Sequence, residues 1–399
     1  MRLFNYRSNL FCTGFILIVV YLLVKLPAQF ELLDPIGKAL TDFELSDMVF
    51  SQLRDKPPPD TNIVLVNIGT LDRSGIAEQI KVLNKFNPKI LGIDVFFRER
   101  RDFRSDMELM LALSEVDNLV LVSDLLIPDS ISNCFQGMST SNFIFTSNAS
   151  LGYAEMKTTS EGYKTVRQFV PFTCVNDSST QAFSVVIADK FDSTSVDLLQ
   201  QRNNEREVIN WKGNYRHFYQ LDVQDVLRPG ADLSFVKDKI VLMGFMGQHH
   251  LGEESLEDTF FTPMNPIPAG RSYPDMYGVT LHANIISMIL SKEYIFQFPL
   301  WGDILITIIL LYLNVALFIY IAERKKVYYD LITKSLILVE IIVLFSLTIL
   351  LLLYFHVKLD FTFAILTILL SGDLTELYVG SLRELAGNAI KRVRARFNF

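Results

Sequence analysis

Hydrophobic residues are concentrated in four runs with few or no charges, one near the start of the chain and three near its end. The runs cover residues 10–24, 301–322, 331–355 and 361–382. Each of the last three is long enough to cross a hydrocarbon core of about 30 Å as a helix. Between the first run and the others, apolar and polar residues alternate on a short scale. The pattern predicts one membrane span, a large domain and three further spans.

The first run is short, and its length suits either the core of a signal peptide or a membrane anchor. The residues that follow it, Leu26, Pro27 and Ala28, form a poor cleavage site. We therefore expect an anchor that is not removed.

Basic residues near the predicted spans indicate how the chain is oriented. They cluster before the first span, between the second and third spans and after the fourth, whereas the link between the last two spans has only Lys358. The positive-inside rule places the basic segments in the cytoplasm, so the large domain is expected in the periplasm of a bacterial inner membrane. The predicted divisions are a membrane anchor at 1–27, an extracytoplasmic domain at 28–299, three transmembrane helices at 300–382 and a cytoplasmic tail at 383–399.

Charge is divided between the same regions. Residues 28–299 contain 24 Lys and Arg against 36 Asp and Glu, a net charge of −12, and the rest of the chain carries +5. Because the whole chain has a net charge of −7, a nucleic-acid binder that works through bulk charge is not expected.

Within residues 28–299, short β-branched runs alternate with helical spacing. The runs that predict strands are 62–68, 89–96, 118–123, 208–211 and 239–245. Helical spacing separates the first three of them, at Ile76, Ile80, Leu83 and Phe86, and then at Met107, Met110 and Leu111. This order predicts an α/β fold with a mainly parallel sheet and flanking helices. An antiparallel hairpin is predicted over 151–172 with its turn at 160–162, and helices are predicted over 181–191 and 279–290.

Several stretches of the chain match the pattern of one known family. They are 40–54 (LTDFELSDMVFSQLR), 90–97 (ILGIDVFF), Glu161-Gly162 with Val166-Arg167, 209–213 (INWKG), 238–244 (DKIVLMG), Asp258, Thr262-Pro263 and 277–284 (YGVTLHAN). Together they resemble the type-two CHASE domain, an extracytoplasmic sensory module found in front of bacterial histidine kinases, Ser/Thr kinases and nucleotide cyclases. The resemblance covers almost the whole chain, including the layout of one span, an outer domain and three spans. It implies a sensory role.

The sequence departs from this family at two places. Family members usually have an Asp pair after the first strand, where this chain has Asn67, Ile68, Gly69 and Thr70. Only 17 residues follow Leu382, too few for a kinase or a cyclase. If the protein is a sensor, we expect its output domain in another chain.

Two groups of residues in the outer domain are candidate sites. Asp94 ends a predicted parallel strand and Arg98 follows it, which makes them candidates for a ligand site because ligands bind at this edge of open α/β sheets. A structural Asp that caps a loop is the favoured interpretation. The family-like run is expected to form a structural closure between the last strand and the membrane. Its residues are Asp258, Thr262, Pro263, Gly278 and His282.

The histidines and cysteines of the outer domain can be explained without a functional site. The pair His249 and His250 lacks the spacing of a metal site, so a solvated loop is expected. Cys134 and Cys174 are both outside, and their spacing leaves a disulfide open. The sequence has no P-loop, nucleophile elbow, His-Glu-x-x-His or dinucleotide fingerprint. We expect no enzymatic activity, no cofactor and no metal.

Three carboxyl groups lie within the predicted spans. Glu340 and Asp373 are placed at nearly equal depth in different spans, and Glu376 lies on the same helical face as Asp373. A charge in the membrane is costly, so these groups should be protonated, paired or in a polar cavity. They could form interhelical hydrogen bonds, dock partner subunits or line an ion path.

The sequence thus predicts an inner-membrane sensory or interaction protein. Its outer domain would bind an unknown small-molecule ligand or a protein of the envelope, and its helices would dock other membrane or periplasmic subunits. Two alternatives remain open. One is a structural subunit of a secretion or motility complex, and the other is an ion-coupled component that uses the membrane carboxyls.

Overall fold

A computed structural model describes residues 6–25, 44–127, 134–154, 156–158, 165–248, 250, 257–267 and 273–383. The chain divides into two compact units. The α/β unit is Ala39–Ile295, and the helical unit combines Met1–Lys38 with Phe296–Phe399. The predicted hairpin turn at 160–162, His249 and the tail beyond Arg383 lie outside the described residues.

The helices are α1 (Tyr6–Lys25), α2 (Leu45–Met48), α3 (Arg73–Asn84), α4 (Phe103–Ser114), α5 (Phe143–Thr146), α6 (Phe183–Phe191), α7 (Ser193–Arg202), α8 (Val223–Leu227), α9 (Gly278–Ser291), α10 (Leu300–Arg324), α11 (Tyr329–Phe355) and α12 (Thr362–Leu377). A π-helical turn extends α2 over Val49–Leu53 and α12 over Tyr378–Leu382.

The strands are β1 (Asp60–Asn67), β2 (Ile90–Ile93), β3 (Leu119–Leu125), β4 (Met138–Ser139), β5 (Ala149–Tyr153), β6 (Met156–Thr158), β7 (Val166–Phe169), β8 (Phe172–Val175), β9 (Ser178–Gln181), β10 (Glu207–Val208), β11 (Phe218–Leu221), β12 (Ile240–Gly244), β13 (Thr259–Phe260), β14 (Met276–Tyr277), β15 (Phe296–Gln297) and β16 (Val357–Lys358).

A parallel sheet forms the centre of the α/β unit. Its strands lie in the order β11-β1-β12-β2-β3-β5, and β4 runs antiparallel to the end of β3. Successive residues of β1 enter opposite cores, with Val64 and Val66 packed under α3 and α4 and Ile63 and Leu65 packed under α6 and α9. Both faces are buried, which is why the strands are continuous apolar runs. The predicted mixed α/β class with a mainly parallel sheet is confirmed.

Two predicted strand assignments need correction. The segment 208–211 contributes only β10, which pairs antiparallel with β7 in a small separate sheet. The predicted hairpin over 151–172 is partly wrong, because β5 joins the parallel sheet and the antiparallel pair is β6 with β7. Sequence alone could not separate these cases, since a short apolar run suits either kind of sheet.

The buried face of α4 is not made up of the three residues whose spacing predicted this helix. Of Met107, Met110 and Leu111, only Met110 packs against the core, and Leu111 is 50% exposed. The fully buried apolar positions include Leu109 and Leu113 instead. The helix therefore turns a different side toward the sheet than its apolar spacing suggests.

The reason is a buried ion pair that brings a polar residue of α4 into the core. Asp106 pairs with Arg73 of α3, and the two side chains are 3% and 7% exposed. The second carboxyl oxygen of Asp106 accepts the backbone N–H of Arg101 at 2.9 Å. These partners satisfy the hydrogen bonds of the carboxylate, so Asp106 can be buried. A pattern of apolar residues would instead predict a charged residue at the surface.

Within the described residues, the helical unit contains four helices long and apolar enough to cross a membrane: α1, α10, α11 and α12 with its extension. Helix α12 packs against the other three. The short strands β15 and β16 pair in parallel, which joins the start of α10 to the link between α11 and α12. Connections of this kind place the start of α10, the end of α11 and the start of α12 at one end of the bundle.

Candidate functional site

The carboxyl edge of the parallel sheet carries a group of acidic residues. Asp94 directly follows β2, Asp124 lies near the end of β3, and Asp258 belongs to the segment after β12. The carboxyls of Asp258 and Asp124 act electrostatically on that of Asp94. His282 of α9 faces the same place, with its Nε2 4.0 Å from Oδ2 of Asp94. The structure therefore brings the ligand candidate Asp94 together with His282 of the closure run.

Burial controls the protonation of this pair. Burial, followed by the charges of Asp258 and Asp124, raises the pKa of Asp94 to about 8. Burial lowers the pKa of His282 to about 3. At neutral pH the carboxyl is therefore protonated and the imidazole is neutral, so no ion pair forms between them.

Ser184 extends the pair into a chain of three polar side chains. Its Oγ lies 2.8 Å from Nδ1 of His282, and it is the second residue of α6. The residue types are those of a nucleophilic triad, but Ser184 is only 1% exposed and the 4.0 Å separation of Asp94 from His282 exceeds a hydrogen bond. This geometry suits a buried polar link between α6 and α9 better than an accessible nucleophile.

Asp258 fixes the start of α9. It has a left-handed backbone with φ of 52°, and its carbonyl accepts the backbone N–H of Gly278 at 3.1 Å. Its carboxyl covers the Cα of Gly278, where an added Cβ would lie 2.9 Å from the nearer oxygen. Burial, and then the charge of Glu257, raises the pKa of Asp258 to about 6. Glycine at 278 thus allows the close approach of a carboxyl to the first turn of α9.

A second contact closes the loop that contains Thr262 and Pro263. Asp275 accepts the backbone N–H of Thr262 at 2.8 Å and its hydroxyl at 2.6 Å. Burial raises the pKa of Asp275 to about 6, although the bonds from Thr262 oppose the rise. Thr262 and Pro263 are both buried. The contacts of Asp258 and Thr262 are compatible with the closure role, which stays a prediction.

Arg98 does not join Asp94 in this arrangement. Its guanidinium pairs with Asp124, lies 4.3 Å from the ring centre of Phe96, and is half exposed. Asp124 was missed by the sequence analysis. The signal that singled out Asp94, an acidic residue that ends a buried strand, applies equally to Asp124.

Asn67, at the end of β1, was noted in the sequence only as a departure from the family's Asp pair, and its contacts were not predicted. Its side-chain amide donates to Oδ1 of Asp222 at 3.0 Å and to the carbonyl of Gly247 at 3.1 Å. Its side-chain oxygen accepts the backbone N–H groups of Gly69 at 3.0 Å and Met246 at 2.9 Å. One buried amide thereby fixes the segments that follow β1, β11 and β12.

The remaining stretches of the family-like pattern meet in space. Arg167 of β7 donates to both carboxyl oxygens of Asp47 in α2, at 2.9 and 2.6 Å. The two side chains are 4% and 10% exposed. The stretch 40–54 and the Val166-Arg167 pair are thus joined by a buried ion pair. This contact gives a physical reason for the presence of both in the family-like pattern.

The stretch 209–213 is held by α9. The backbone N–H of Lys212 donates to Oδ1 of Asn284 at 2.8 Å, and Nδ2 of Asn284 donates to the carbonyl of Gly213 at 2.9 Å. Asn284 is fully buried. The Asn284 amide, which belongs to the run 277–284, therefore binds this stretch both as an acceptor and as a donor.

The same stretch also holds the end of the α/β unit. Nδ2 of Asn210 donates to the carbonyl of Glu293 at 2.8 Å, and Lys212 pairs with the Glu293 carboxylate. Arg54 donates to Oδ1 of Asn210 at 2.6 Å. Residues close to both ends of the unit are thereby bound to one central stretch.

Comparison with protein families agrees with these contacts. The sequence matches the CHASE2 domain over residues 15–317, more than half of the chain. The chain belongs to the CHASE2 domain family. CHASE2 is an extracytoplasmic sensory family, so a sensory role is consistent with the match. No curated protein and no solved structure gave a significant match to the sequence. No effector domain is evident within the 399 residues.

Two of the three cysteines of this CHASE2 protein are paired. Cys134 and Cys174 form a disulfide between residues 40 positions apart, and Cys12 is free and buried. Among the described residues, these two cysteines and Asp177 are the one group spaced closely enough for a metal ion. The sulfurs are bonded to each other, so they offer no thiolate ligands.

The three carboxyl groups in the predicted spans of the CHASE2 chain lie in two different environments. Nδ2 of Asn314 in α10 donates to Oε2 of Glu340 in α11 at 2.6 Å. Asp373 and Glu376 instead lie on an exposed side of α12. An interhelical hydrogen bond thus satisfies Glu340, and the two α12 carboxylates face away from the bundle interior.

The predicted equal depth of Glu340 and Asp373 refers to the membrane boundaries and stays a prediction. Gly372 of α12 packs beside Ile337 and Thr333 of α11, and its carbonyl accepts the hydroxyl of Tyr329 at 2.8 Å. The residue before Asp373 therefore lies beside the segment 329–337 of α11, which ends three residues before Glu340.

The high pKa of Asp94 makes the stability of the CHASE2 domain depend on pH. The folded carboxyl keeps its proton up to a pH of about 8, whereas an unfolded Asp loses it near 4. Between these values the folded state binds more protons, so the free energy of unfolding falls as pH rises, by up to about 1.4 kcal/mol per pH unit for one group. Asp94→Asn should remove this contribution and gain stability relative to the wild type between pH 5 and 8.

Denaturant unfolding at several pH values checks this expectation. Asp117→Asn, at an exposed position before β3, is the control and should follow the wild type. Parallel stability curves for the wild type and Asp94→Asn would contradict a buried, protonated Asp94.

Proposed function

We propose that this chain is an inner-membrane sensory and interaction protein whose outer domain binds an envelope ligand or protein at the Asp94 edge. The contacts of helix α9 support this proposal. His282 lies beside Asp94, and Asn284, two residues later, holds the stretch 212–213. A rearrangement at the sheet edge would reach that stretch through one rigid helix.

The route continues toward the predicted membrane helix. Asn210 and Lys212 bind Glu293, which precedes the start of α10 by seven residues. The partner at the other end of the domain is Arg54, which follows α2 and also binds Asn210. These contacts support a domain that reports on its ligand by moving the segments next to its membrane helices.

Hydrogen exchange on the purified full chain tests the sensory proposal. Fractions of an envelope extract serve as the probe. An active fraction should slow exchange both at residues 94–98 and in α9, and Asp94→Asn should abolish both effects. Glu78→Gln, on the exposed surface of α3, is the control variant. The proposal fails if the fractions that bind protect only other surfaces, or if Asp94→Asn responds like the wild type.

Membrane placement is the next part of the proposal, with both termini in the cytoplasm and the α/β unit in the periplasm. Cysteines introduced at Glu78 and Val327, both exposed, should react from opposite sides of the inner membrane. A membrane-impermeant maleimide should label Glu78→Cys in spheroplasts and Val327→Cys only in inverted vesicles. Labelling of both from one side would exclude the four-span topology.

We further propose that the membrane helices dock partner subunits and that Glu340 supports this packing. Glu340→Gln keeps an acceptor for Asn314 and should preserve co-purification of partners in mild detergent. Glu340→Leu leaves the Asn314 amide unpaired and should reduce recovery roughly five-fold, as expected for about 1 kcal/mol per interhelical hydrogen bond. Val339→Leu, at an exposed neighbouring position, is the control.

The other outcomes separate the alternative roles of Glu340. Loss of partners with both substitutions would indicate that the charge itself is paired. Intact assembly with lost activity for Glu340→Gln would favour an ion path. If even Glu340→Leu changes neither assembly nor activity, the docking role is excluded.

We also propose that the chain has no catalytic activity and needs no cofactor. The buried position of Ser184 and its bond to Nδ1 of His282 support this view. Hydrolase, kinase or cyclase turnover that disappears on Ser184→Ala, with folding intact, would refute it.

A further inference from the structure

The peptide group that joins Ile295 to Phe296 is hydrogen-bonded at both its carbonyl and its N–H. The carbonyl of Ile295 accepts Nη2 of Arg202 at 3.1 Å, and the N–H of Phe296 donates to the carbonyl of His356 at 2.8 Å. Arg202 ends α7 in the α/β unit, whereas His356 follows the last residue of α11 in the helical unit. The chain therefore passes from one unit to the other through a single bonded peptide group, without a free linker.

The anchor in the α/β unit is a buried ion pair. Arg202 donates to both carboxyl oxygens of Glu207, at 2.7 and 2.9 Å, and Glu207 is 1% exposed. Asn204 donates to the same carboxyl at 2.9 Å, and the guanidinium lies 4.9 Å from the ring centre of Tyr294. Two parallel bonds to one carboxylate fix the plane of a guanidinium. The bond from Arg202 to Ile295 therefore comes from a side chain with little freedom to move.

The anchor in the helical unit reaches two helices. The N–H of His356 donates to the carbonyl of Leu351 in the last turn of α11. The carbonyl of Lys358 accepts the N–H of Phe298 at 3.0 Å, which extends the pairing of β15 with β16. The ring of Phe298 packs directly on Gly302 in the first turn of α10. Residues next to the shared peptide group thus contact both the end of α11 and the start of α10.

Asp360 joins the start of α12 to the same arrangement. Its carboxyl accepts the N–H of Thr362 at 3.1 Å and the hydroxyl of Thr362 at 2.6 Å, so it caps α12. Its own backbone N–H donates to the carboxyl of Asp303 in α10. Asp303 is 6% exposed. Hydrogen bonds therefore connect α10, α11 and α12 at the end of the bundle where the chain arrives from the α/β unit.

We infer that the Ile295–Phe296 peptide group passes movements of the α/β unit to α10, α11 and α12 together, so that these three helices respond as one block. Chain order alone would link the α/β unit only to α10, the next helix. Because a peptide group is planar, a displacement of the Ile295 carbonyl also turns the N–H that is bonded to His356. The inference rests on the proposed sensory role and adds the point at which a movement enters the helical unit.

A disulfide between β15 and β16 tests this coupling in the full chain. Gln297 and Lys358 are register partners, so Gln297→Cys with Lys358→Cys should form a disulfide under a mild oxidant in lipid nanodiscs. Gln297→Ser with Lys358→Ser is the reference without this restraint. Hydrogen exchange of residues 203–208, which follow Arg202, should be at least three-fold slower in the cross-linked protein, because coupled sites affect each other reciprocally.

Arg202→Lys should remove the coupling while it leaves a cation for Glu207. Lysine is a point charge and cannot keep a forked pair with Glu207 and a bond to Ile295 at once. The disulfide should therefore no longer slow exchange in this variant. Arg206→Lys, at an exposed neighbouring position, is the matched control and should keep the slowing. The fluorescence of the buried Trp211 should show that both variants are folded.

Three results would overturn the inference. They are a failure of the two cysteines to form a disulfide, unchanged exchange of residues 203–208 in the cross-linked protein, and slowing that persists in folded Arg202→Lys. The second result keeps the inference falsifiable if Arg202→Lys does not fold. No ligand takes part in this test, so its failure would leave binding at the Asp94 edge unaffected. A failure to find a ligand would likewise leave the measured coupling unaffected.

Discussion

Replacement of Arg167 by Leu is expected to lower the free energy of unfolding of the α/β unit by about 3–5 kcal/mol. Arg167 holds both carboxyl oxygens of Asp47 at 2.9 and 2.6 Å, and the two side chains are 4% and 10% exposed. Leucine fills much of the volume but leaves a buried carboxylate without its cation. The loss therefore measures an uncompensated charge rather than an empty cavity.

Arg98→Leu is the matched control for this experiment. Arg98 also forms an ion pair, with Asp124, but both side chains are about half exposed. Water and salt compensate for the loss of such a pair, so a change below about 1 kcal/mol is expected. Denaturant unfolding followed by the fluorescence of the buried Trp211 gives both values. Equal, small losses in the two variants would mean that the pair between α2 and β7 does not contribute to the fold.

Gly278→Ala is expected to destabilise the same unit by about 1–3 kcal/mol through overpacking. The new methyl group would lie 2.9 and 3.0 Å from the carboxyl oxygens of Asp258. Asp258 cannot retreat freely, because its own carbonyl binds the backbone N–H of Gly278. The first turn of α9 or the preceding loop must shift, and the closure would loosen.

A double-mutant cycle identifies the cause. Asp258→Gly removes the carboxyl and suits the left-handed φ of 52°, so the single variant should remain folded. In that background, Gly278→Ala should cost at least 1 kcal/mol less than in the wild type. If the two changes are additive, contact with Asp258 is not the reason for glycine at 278. An unchanged stability of Gly278→Ala itself would exclude the closure role of this residue.

The parallel sheet could be predicted because the feature that identifies each strand lies within that strand. β1, β2, β3 and β12 each contain a buried apolar run, since both faces of the sheet are covered, and runs of this kind stand out in a sequence. β11 was missed because it is a four-residue edge strand whose two central residues are exposed. The buried position of Asp106 in α4 was not predicted, because its partner Arg73 lies in another helix.

The candidate site was predictable only in part, for a similar reason. Asp94 follows a strongly predicted strand, and strand order fixes the edge to which it belongs. The partners of Asp94 could not be predicted, because His282 and Ser184 come from helices far away in the sequence. The resemblance to a family supplied residues 277–284, but the contact of Asn284 with Lys212 and Gly213 required coordinates.

The amide of Asn67 has an electrostatic consequence for the whole sheet edge. Four carboxyls, those of Asp94, Asp124, Asp222 and Asp258, end or follow neighbouring strands there. An amide can donate and accept at once, so a single neutral side chain binds Asp222 and three backbone groups. A carboxylate could not donate to Asp222 and would add another negative charge. The neutral amide therefore lets three loops converge on the edge without adding to the negative charge there.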